Sequence, residues 1–329
     1  MEHFVNKDIS LFIISLISSY VLYKIFIPIF SRYLIDQPNF RSLHKLKSPT
    51  GGGIIFAILI SIFSLIKGTY IPLFCLPLSF IGLLDDKKNL SQIIRIISQL
   101  ITILILFIAG FYFDDILPWI DTKLFYLLII PIIFSCVGII NFLNFSDGIN
   151  GLLAGTMLVF FCYYLFNIND QFIFVIPCLF IFLIFNWSPS KIFMGDSGSL
   201  FLGSLYVYVI LISKNLNEFI SLIFILIPIL MDVLSALLRR FYYGHNIFKP
   251  HRLHLYQRLV SAGFTHSQVS LLYISFSLLF CLLNIYGDFK LIIILSLIMF
   301  FIGFYLDQNI AVPFYIKEYN QKLKDKSNY

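Results

Sequence analysis

The sequence predicts an all-α protein whose helices cross a membrane many times. Of its 329 residues, 59% are hydrophobic and only 12% are charged, whereas a soluble domain carries about 25% charged residues. A soluble fold of this size would not bury so much apolar surface. The long apolar runs are rich in Leu, Ile and Phe and do not alternate with polar residues, which favours helices over a membrane β-barrel.

About eleven membrane spans are expected from these runs, with ten as the alternative, because several runs are short or interrupted by Gly and Pro. In chain order, the predicted spans are 9–30, 51–67, 70–84, 93–110, 124–143, 148–167, 170–186, 198–214, 217–238, 268–287 and 289–307. We expect a single integral membrane domain over residues 1–329, with a short polar tail from about residue 308.

The Lys and Arg residues predict the orientation, because loops on the cytoplasmic side of a membrane carry an excess of both. With eleven spans, most of the 23 Lys and Arg residues fall in one set of loops. The N-terminus is then outside and the C-terminus is cytoplasmic. This orientation, and not a nucleic-acid partner, accounts for the net charge of +6. The acidic loop 111–123, with Asp114, Asp115 and Asp121, falls outside.

The other polar clusters all fall in the loops predicted to be cytoplasmic. Transporters more often place polar groups near the bilayer midplane, on broken helices. Clusters that converge on one membrane face are instead typical of a catalytic surface. We therefore expect an active site at the cytoplasmic face.

Two adjacent carboxylates, Asp85 and Asp86, follow predicted span 70–84. Such a pair is self-repelling, so it needs a cation or a bound metal close by. Lys87 and Lys88 are the simpler alternative, in which the four residues form only a charged surface.

Asn141, Asn144 and Asp147 follow one another at a spacing of three residues. On a helix they would share one face. Carboxylate and amide oxygens are the ligands that Mg²⁺ takes, usually together with substrate phosphates. The alternative is a plain helix cap at Asp147.

A loop rich in small residues surrounds Asp196, with Gly195, Ser197, Gly198 and Ser199 on either side and Lys191 upstream. This composition suits a tight loop that offers backbone N–H groups and hydroxyls to an anion, with Asp196 on a metal. A simple turn before the next span is the alternative.

The longest cytoplasmic loop contains Lys249, His251, Arg252 and His254. Arg and His bind phosphate oxygens well, Arg through its planar fork. A polybasic segment that holds lipid headgroups is the alternative. Zinc is disfavoured, because no further ligands accompany the two histidines.

Three other features are assigned structural roles. Asp232 lies within a span, where acids are usually paired or functional, and we expect it to orient Arg239 or Arg240. The glycines at 51–53 are interpreted as a flexible helix start. His266 belongs to none of these clusters, and a surface or interface position suffices for it.

The clusters together indicate phosphoryl transfer between a nucleotide donor and a lipid. With these clusters in this order, the chain resembles the polyprenyl-phosphate N-acetylhexosamine-1-phosphate transferases, a family of membrane enzymes. The resemblance runs from about Asp36 to Arg258. The motifs that carry it, in order, are DQPNFRSLHKLKSPTGGG, GLLDDKKNLS, NFLNFSDGINGL, KIFMGDSGSLFLG and KPHRLHLYQRL.

The resemblance implies a role for each motif. Asp196 and Asn144 would hold Mg²⁺, with Mn²⁺ as a substitute. Asp85 and Asp86 would face the lipid phosphate, and Asp147 matches an acid of the catalytic motif. The residues assigned to substrate binding are Lys47, Arg95, Asn141, Asn150 near the uracil, Lys191, and His251, Arg252 and His254 at the donor pyrophosphate.

The implied substrates are a UDP-N-acetylhexosamine and undecaprenyl or another polyprenyl phosphate, and the products are UMP and the polyprenyl-diphospho-sugar. This is a priming step of cell-envelope polysaccharide synthesis at the inner or plasma membrane, and a homodimer is left open. Many members have a second Asp where this chain has Asn150. The HRLH motif resembles members that use UDP-N-acetylated deoxyhexosamines, such as FucNAc or QuiNAc, so these compete with UDP-GlcNAc as the donor. The competing functions are a phospho-MurNAc-pentapeptide transferase and a transporter or flippase for a phosphorylated lipid.

Overall fold

The computed structural model of the chain describes residues 2–36, 47–113, 117–246, 251–286 and 289–315. These ranges contain twelve helices and one two-stranded antiparallel sheet. The elements are α1 Glu2–Tyr33, β1 Ile35–Asp36, β2 Ser48–Pro49, α2 Gly53–Lys67, α3 Ile71–Lys88, α4 Gln92–Phe113, α5 Thr122–Phe145, α6 Leu152–Asn167, α7 Val175–Asn186, α8 Asp196–Leu211, α9 Leu216–Tyr242, α10 Leu255–Ser261, α11 His266–Tyr286 and α12 Phe289–Asn309. The all-α prediction is therefore confirmed.

Eleven of these helices overlap the predicted spans, and the short helix α10 and the strands β1 and β2 are additions that the apolar pattern did not indicate. Within the described residues, α1, α4, α5, α9, α11 and α12 each contain a stretch long and apolar enough to cross a membrane, and four further apolar helices are shorter. The protein is thus a multi-pass helical bundle. The number of eleven spans and the direction of the termini stay predictions.

Helix α8 forms the centre of the bundle. Every residue from Ser197 to Leu211 is buried, and α8 packs on α2, α3, α5 and α9. By contrast, α12 exposes many large apolar side chains, among them Leu297, Phe301 and Phe304. In a bilayer such side chains meet hydrocarbon and not water. The first residue of the central helix is Asp196, so the packing of α8 fixes the position of that carboxylate.

The glycines that precede α2 are held firmly against the loop before α8. The amide of Gly52 donates to the carbonyl of Phe193 at 2.9 Å, and the amide of Gly53 donates to the carbonyl of Met194 at 2.9 Å. The Tyr23 hydroxyl also donates to the Gly52 carbonyl at 2.8 Å. The expectation of a flexible helix start was therefore wrong. Glycine is needed here because two backbones approach closely.

The opposite end of α2 is joined to two other parts of the bundle by one cation. The Lys67 ammonium lies 2.6 Å from Asp8 of α1 and 3.0 Å from Asp170, which follows α6.

On the predicted outer loop, Asp121 caps α5 by accepting from the amides of Lys123 and Leu124. Asp114 and Asp115 lie outside the described residues.

Candidate active site

A cavity of about 600 Å³ lies where α3 ends and α8 begins. Three acidic segments that are far apart in the sequence meet around it. Seven of the residues singled out from the sequence line this cavity, namely Asp85, Asp86, Arg95, Asn144, Asp147, Asn150 and Asp196.

Asp86 and Asp196 are connected through the backbone at the start of α8. The Asp196 amide donates to Asp86 Oδ1 at 3.0 Å. Gly195 has a φ of +72°, and a Cβ at this position would lie 2.3 Å from Asp86 Oδ2. That Oδ2 atom is buried and finds no hydrogen-bond partner among the described residues. A buried, unsatisfied carboxylate oxygen is costly, so this atom is suited to accept a ligand of positive charge.

Asp85 and Arg95 form an ion pair at one side of the site. Arg95 Nη1 lies 3.1 Å from Asp85 Oδ2, and Arg95 Nη2 lies 3.9 Å from Asp196 Oδ2. Asp85 is only 6% exposed, and its Oδ1 accepts the Leu90 amide at 2.6 Å. The guanidinium therefore stands between two carboxylates from different helices, and a guanidinium in such a cavity is also suited to bind a phosphate.

The end of α5 supplies the amide of the cluster. Asn144 Nδ2 donates to Asp196 Oδ1 and to Ser199 Oγ, both at 2.8 Å. The helix ends at Phe145, so Asp147 lies in the following turn and does not share a helix face with Asn144, contrary to the spacing argument. Burial and the charges of Asp196 and Asp86 raise the pKa of Asp147 well above its usual range.

Asn141 does not reach the cavity lining. It exchanges two amide hydrogen bonds with Gln99 of α4, at 3.2 Å and 2.7 Å, and also donates to the Val137 carbonyl. The structure thus gives Asn141 a role in joining α4 to α5. The sequence did not indicate this partner, because Gln99 belongs to another helix.

Asn150 is held at the far wall of the cavity by α11. Its backbone amide donates to His266 Nδ1 at 3.3 Å, and its backbone carbonyl accepts from the Ser270 hydroxyl at 2.8 Å. The next amide, that of Gly151, donates to Asn186 Oδ1 at 2.8 Å. His266, Gln257 and Asn186 also line the cavity. Sequence reasoning missed all three, because only long-range packing brings them there.

The basic motif of the longest loop lies beside the cavity and not in its lining. His254 is 3% exposed, and its ring stacks on that of Tyr256 at 5.5 Å. Burial, with Arg240 and Arg258 nearby, lowers the pKa of His254 to about 3. Burial and His254 lower the pKa of His251 to about 2. Both imidazoles are thus neutral at pH 7, and Arg252 is the charged member among the described residues of the motif. Lys249 lies outside the described residues.

The two remaining predicted substrate residues are exposed and outside the cavity lining. Lys47 precedes β2, and the Lys191 ammonium lies 5.8 Å from the centre of the Phe185 ring. Each is near a segment that borders the site, but neither is directed to the acidic cluster by a contact in the described structure.

Asp232 does not orient Arg239 or Arg240, contrary to the expectation from the sequence. Its two oxygens accept from the amides of Leu255 and Tyr256 and from the Tyr273 hydroxyl. Arg239 instead pairs with Asp307 of α12, at 2.7 Å.

The donor atoms of the cavity fit Mg²⁺ in part. No three His, Cys, Asp or Glu residues of the described chain converge closely enough to form a complete metal site. Mg²⁺, however, usually takes only one or two carboxylates and completes its octahedron with water and substrate phosphates. Asp196, Asn144 and the unsatisfied oxygen of Asp86 offer hard oxygen donors of that kind. The site therefore suits a metal that arrives with a phosphate ligand.

Comparison with known proteins gives a consistent set of relatives. Residues 69–214 match the family model described as glycosyl transferase family 4. The chain is 30% identical over 315 residues to an undecaprenyl-phosphate alpha-N-acetylglucosaminyl 1-phosphate transferase from Yersinia pestis, an alignment that covers 85% of this chain and 83% of that protein. It is 30% identical over 283 residues to a probable undecaprenyl-phosphate N-acetylglucosaminyl 1-phosphate transferase from Bacillus subtilis, with coverages of 77% and 78%.

A third relative has a different sugar in its name. The chain is 31% identical over 234 residues to a phospho-N-acetylmuramoyl-pentapeptide-transferase from Dictyoglomus turgidum. That alignment covers 64% of this chain and 74% of the relative.

Proposed function

The chain belongs to glycosyl transferase family 4, and on that premise we propose that it transfers an N-acetylhexosamine 1-phosphate from a UDP-sugar to a polyprenyl phosphate. The observation that carries this proposal is the meeting of Asp85, Asp86, Asp147 and Asp196 with Arg95 around one cavity. Phosphoryl transfer needs positioning and charge neutralisation more than covalent chemistry from the protein. Acids that take a metal, together with a guanidinium that takes a phosphate, supply both.

In this reaction an oxygen of the lipid phosphate attacks the sugar-bearing phosphorus of the donor. The bond from that phosphorus to the bridging oxygen breaks, and UMP leaves with its electron pair. Arg95 binds a phosphate and orients it, while Asp85 holds Arg95 in place. A phosphate monoester is mostly dianionic at neutral pH, so the attack needs no strong base. Asn150 lies on the wall that meets the nucleoside or sugar.

Mg²⁺, which Asp196 and Asn144 would hold with Asp86 beside them, would neutralise the phosphates of the donor. This assignment is supported by the buried Asp86 oxygen that lacks a partner in the described chain, and by the hard character of the donors. Mn²⁺ has the same preference for oxygen ligands and is a suitable probe.

We place the cavity at the cytoplasmic face of the cell membrane. The excess of Lys and Arg in the loops on that side supports this orientation. A UDP-sugar cannot cross a bilayer because of its charge, so the donor must be present on the side to which the cavity opens. The polyprenyl chain remains in the membrane while its phosphate reaches the cavity. The product would prime a cell-envelope polysaccharide.

The donor is proposed to be UDP-GlcNAc or a close N-acetylated relative. The names of the Yersinia and Bacillus relatives support N-acetylglucosamine as the transferred sugar. The name of the Dictyoglomus relative makes a muramoyl-pentapeptide donor the alternative to be tested. A transporter of the same lipid would move its cargo without forming UMP.

The test is UMP release by the purified full-length protein with undecaprenyl phosphate and Mg²⁺. The donor panel contains UDP-GlcNAc, UDP-FucNAc, UDP-QuiNAc and UDP-MurNAc-pentapeptide. We expect one N-acetylhexosamine donor to release UMP only when the lipid is present, and a chelator to stop the release. Folded protein that releases no UMP with any of these donors, or that moves the lipid without releasing UMP, would contradict the proposal.

Replacing Arg95 with Gln is expected to lower kcat/KM for the lipid phosphate by roughly 10- to 100-fold, the range for losing a hydrogen bond to a charged group. Arg95→Lys should recover only part of this loss, because an ammonium does not reproduce the planar fork. Steady-state kinetics at varied lipid concentration measure the effect. Lys88→Gln, at an exposed position on the last turn of α3, is the matched control, and equal kinetics for the Arg95 and Lys88 variants would exclude a phosphate-binding role.

A further inference from the structure

We propose that Asp232 is a positioning residue of the active site, which acts through α10 on the turn that carries Asp147. The inference rests on the proposed function for its kinetic consequence, but its geometry does not depend on that function. Three links carry it: the carboxylate holds α10, α10 places Tyr256, and Tyr256 holds the turn.

The first link is the pairing of Asp232 with the start of α10. Asp232 Oδ1 accepts the Leu255 amide at 2.7 Å, and Asp232 Oδ2 accepts the Tyr256 amide at 3.0 Å. The residue that immediately precedes α10, His254, makes no side-chain cap hydrogen bond. A helix usually receives its cap from that adjacent residue. Here a carboxylate from a different helix, α9, performs this task.

Asp232 is buried, and hydrogen bonds from three donors compensate for its removal from water. The residue is 7% exposed and lies within a helix long and apolar enough to cross a membrane. Acids in such positions are expensive and are retained where they are paired or functional. The Tyr273 hydroxyl of α11 donates to the same Oδ2 atom at 2.7 Å. Asp232 thus ties α9, α10 and α11 together at one point.

The second link is the side chain of Tyr256, which is 1% exposed. Because Asp232 binds the Tyr256 amide, the backbone of this residue is fixed relative to α9. The adjacent residue Gln257 lines the cavity. A shift of α10 would therefore move a wall of the active site together with the Tyr256 ring.

The third link is the contact between Tyr256 and the turn after α5. The Tyr256 hydroxyl donates to the Phe145 carbonyl at 2.6 Å. On the other side of Asp147, a Cβ on Gly148 would lie 2.2 Å from the same hydroxyl oxygen. The hydroxyl therefore touches the turn on both sides of Asp147, so a displacement of Tyr256 would also displace the turn that carries Asp147.

A double-mutant cycle with Asp232→Ala and Tyr256→Phe tests whether the two residues act in series. Each single variant should lower kcat for UMP release by roughly 10- to 100-fold, since a displacement of about 1 Å in a catalytic site costs up to 10²-fold. The double variant should be no slower than the slower single variant, because both changes break the same chain of contacts. Losses that multiply in the double variant would overturn the proposal.

Hydrogen–deuterium exchange provides a readout that does not need activity. In Asp232→Ala, the amides of Leu255 and Tyr256 and those of the turn 146–149 should exchange faster than in the unaltered protein. In Tyr256→Phe, only the turn should exchange faster. Asp232→Asn keeps one acceptor oxygen and should give intermediate exchange at α10. Unchanged exchange at α10 or at the turn in Asp232→Ala would refute the corresponding link.

The control is Ser296→Ala on α12, which lines the same apolar cavity as Asp232 and whose hydroxyl bonds to the carbonyl of Ile292 in its own helix. It should leave both kinetics and exchange unchanged. If the unaltered protein releases no UMP, the proposed function fails while the exchange data still decide the positioning role. If UMP release is normal but exchange and coupling are absent, only the positioning role fails.

Discussion

Replacing Asp196 with Asn is expected to lower kcat for UMP release by roughly 10³-fold, the upper range for removing one group that stabilises charge in a transition state. Asp196 is the first residue of the central helix α8. Its carboxylate accepts a hydrogen bond from the Asn144 side chain at 2.8 Å and lies 3.9 Å from the Arg95 guanidinium. Asn has the same shape but no charge, so the helix should stay in place. The loss should therefore reflect weaker binding of the metal and its phosphates.

The measurement that separates charge from folding is the binding of Mn²⁺ in the presence of UDP-sugar, followed by electron paramagnetic resonance. Asp196→Asn should weaken this binding together with turnover, while its thermal midpoint stays close to that of the unaltered protein. Asp170→Asn is the matched control, because Asp170 pairs with Lys67 at the other end of α2. Normal Mn²⁺ affinity and normal turnover in Asp196→Asn would remove this residue from the metal site.

Replacing Gly53 with Ala is expected to prevent the native contact between α2 and α8. A Cβ at this position would lie 2.1 Å from the Cα and 2.2 Å from the amide nitrogen of Gly198. Both are backbone atoms, so relief requires the two helices to separate. Overpacking of this kind costs about 1–3 kcal/mol and more where a backbone must move. Because α8 carries Asp196, we expect a lower thermal midpoint and loss of UMP release together.

The control for this change is Gly138→Ala in α5. A Cβ at Gly138 would meet no atom within 4 Å, and Ala is the better helix former by about 1 kcal/mol. Unaltered or slightly raised stability is the expected result for that variant. If Gly53→Ala melts at the same temperature as Gly138→Ala, the close approach of α2 and α8 is not essential to the fold.

The helices and the acidic motifs were predictable because both are local signals. An apolar run of sufficient length predicts a helix without knowledge of its neighbours, and all eleven runs overlap helices. Asp85 and Asp86 were singled out because adjacent carboxylates repel each other, and Asp196 because it lies in a loop of Gly and Ser that suits an anion. The structure brings these three acids to one cavity.

The features that the sequence did not indicate depend on contacts between distant segments. Asn141 was grouped with Asn144 by spacing, yet it pairs with Gln99, whose helix the spacing does not include. His266 belongs to none of the clusters found in the sequence, and its contact with Asn150 arises from the packing of α11. Gly53 was interpreted as flexible because the opposing Gly198 is remote in sequence. Periodicity describes one element at a time and contains no information about which face of another element lies opposite.

The pairing of Asp85 with Arg95 has a consequence for the order in which the cavity is assembled during synthesis. Arg95 follows Asp85 closely in the chain, but Asp196 lies 110 residues beyond Asp86. At about 5–20 residues per second, roughly 5–20 s separate the emergence of Asp86 from that of Asp196. Asp85 and Arg95 both lie in the hairpin of α3 and α4, so their ion pair does not depend on α5 or α8. A growing chain therefore contains both charges of this pair well before the partners from α5 and α8 exist.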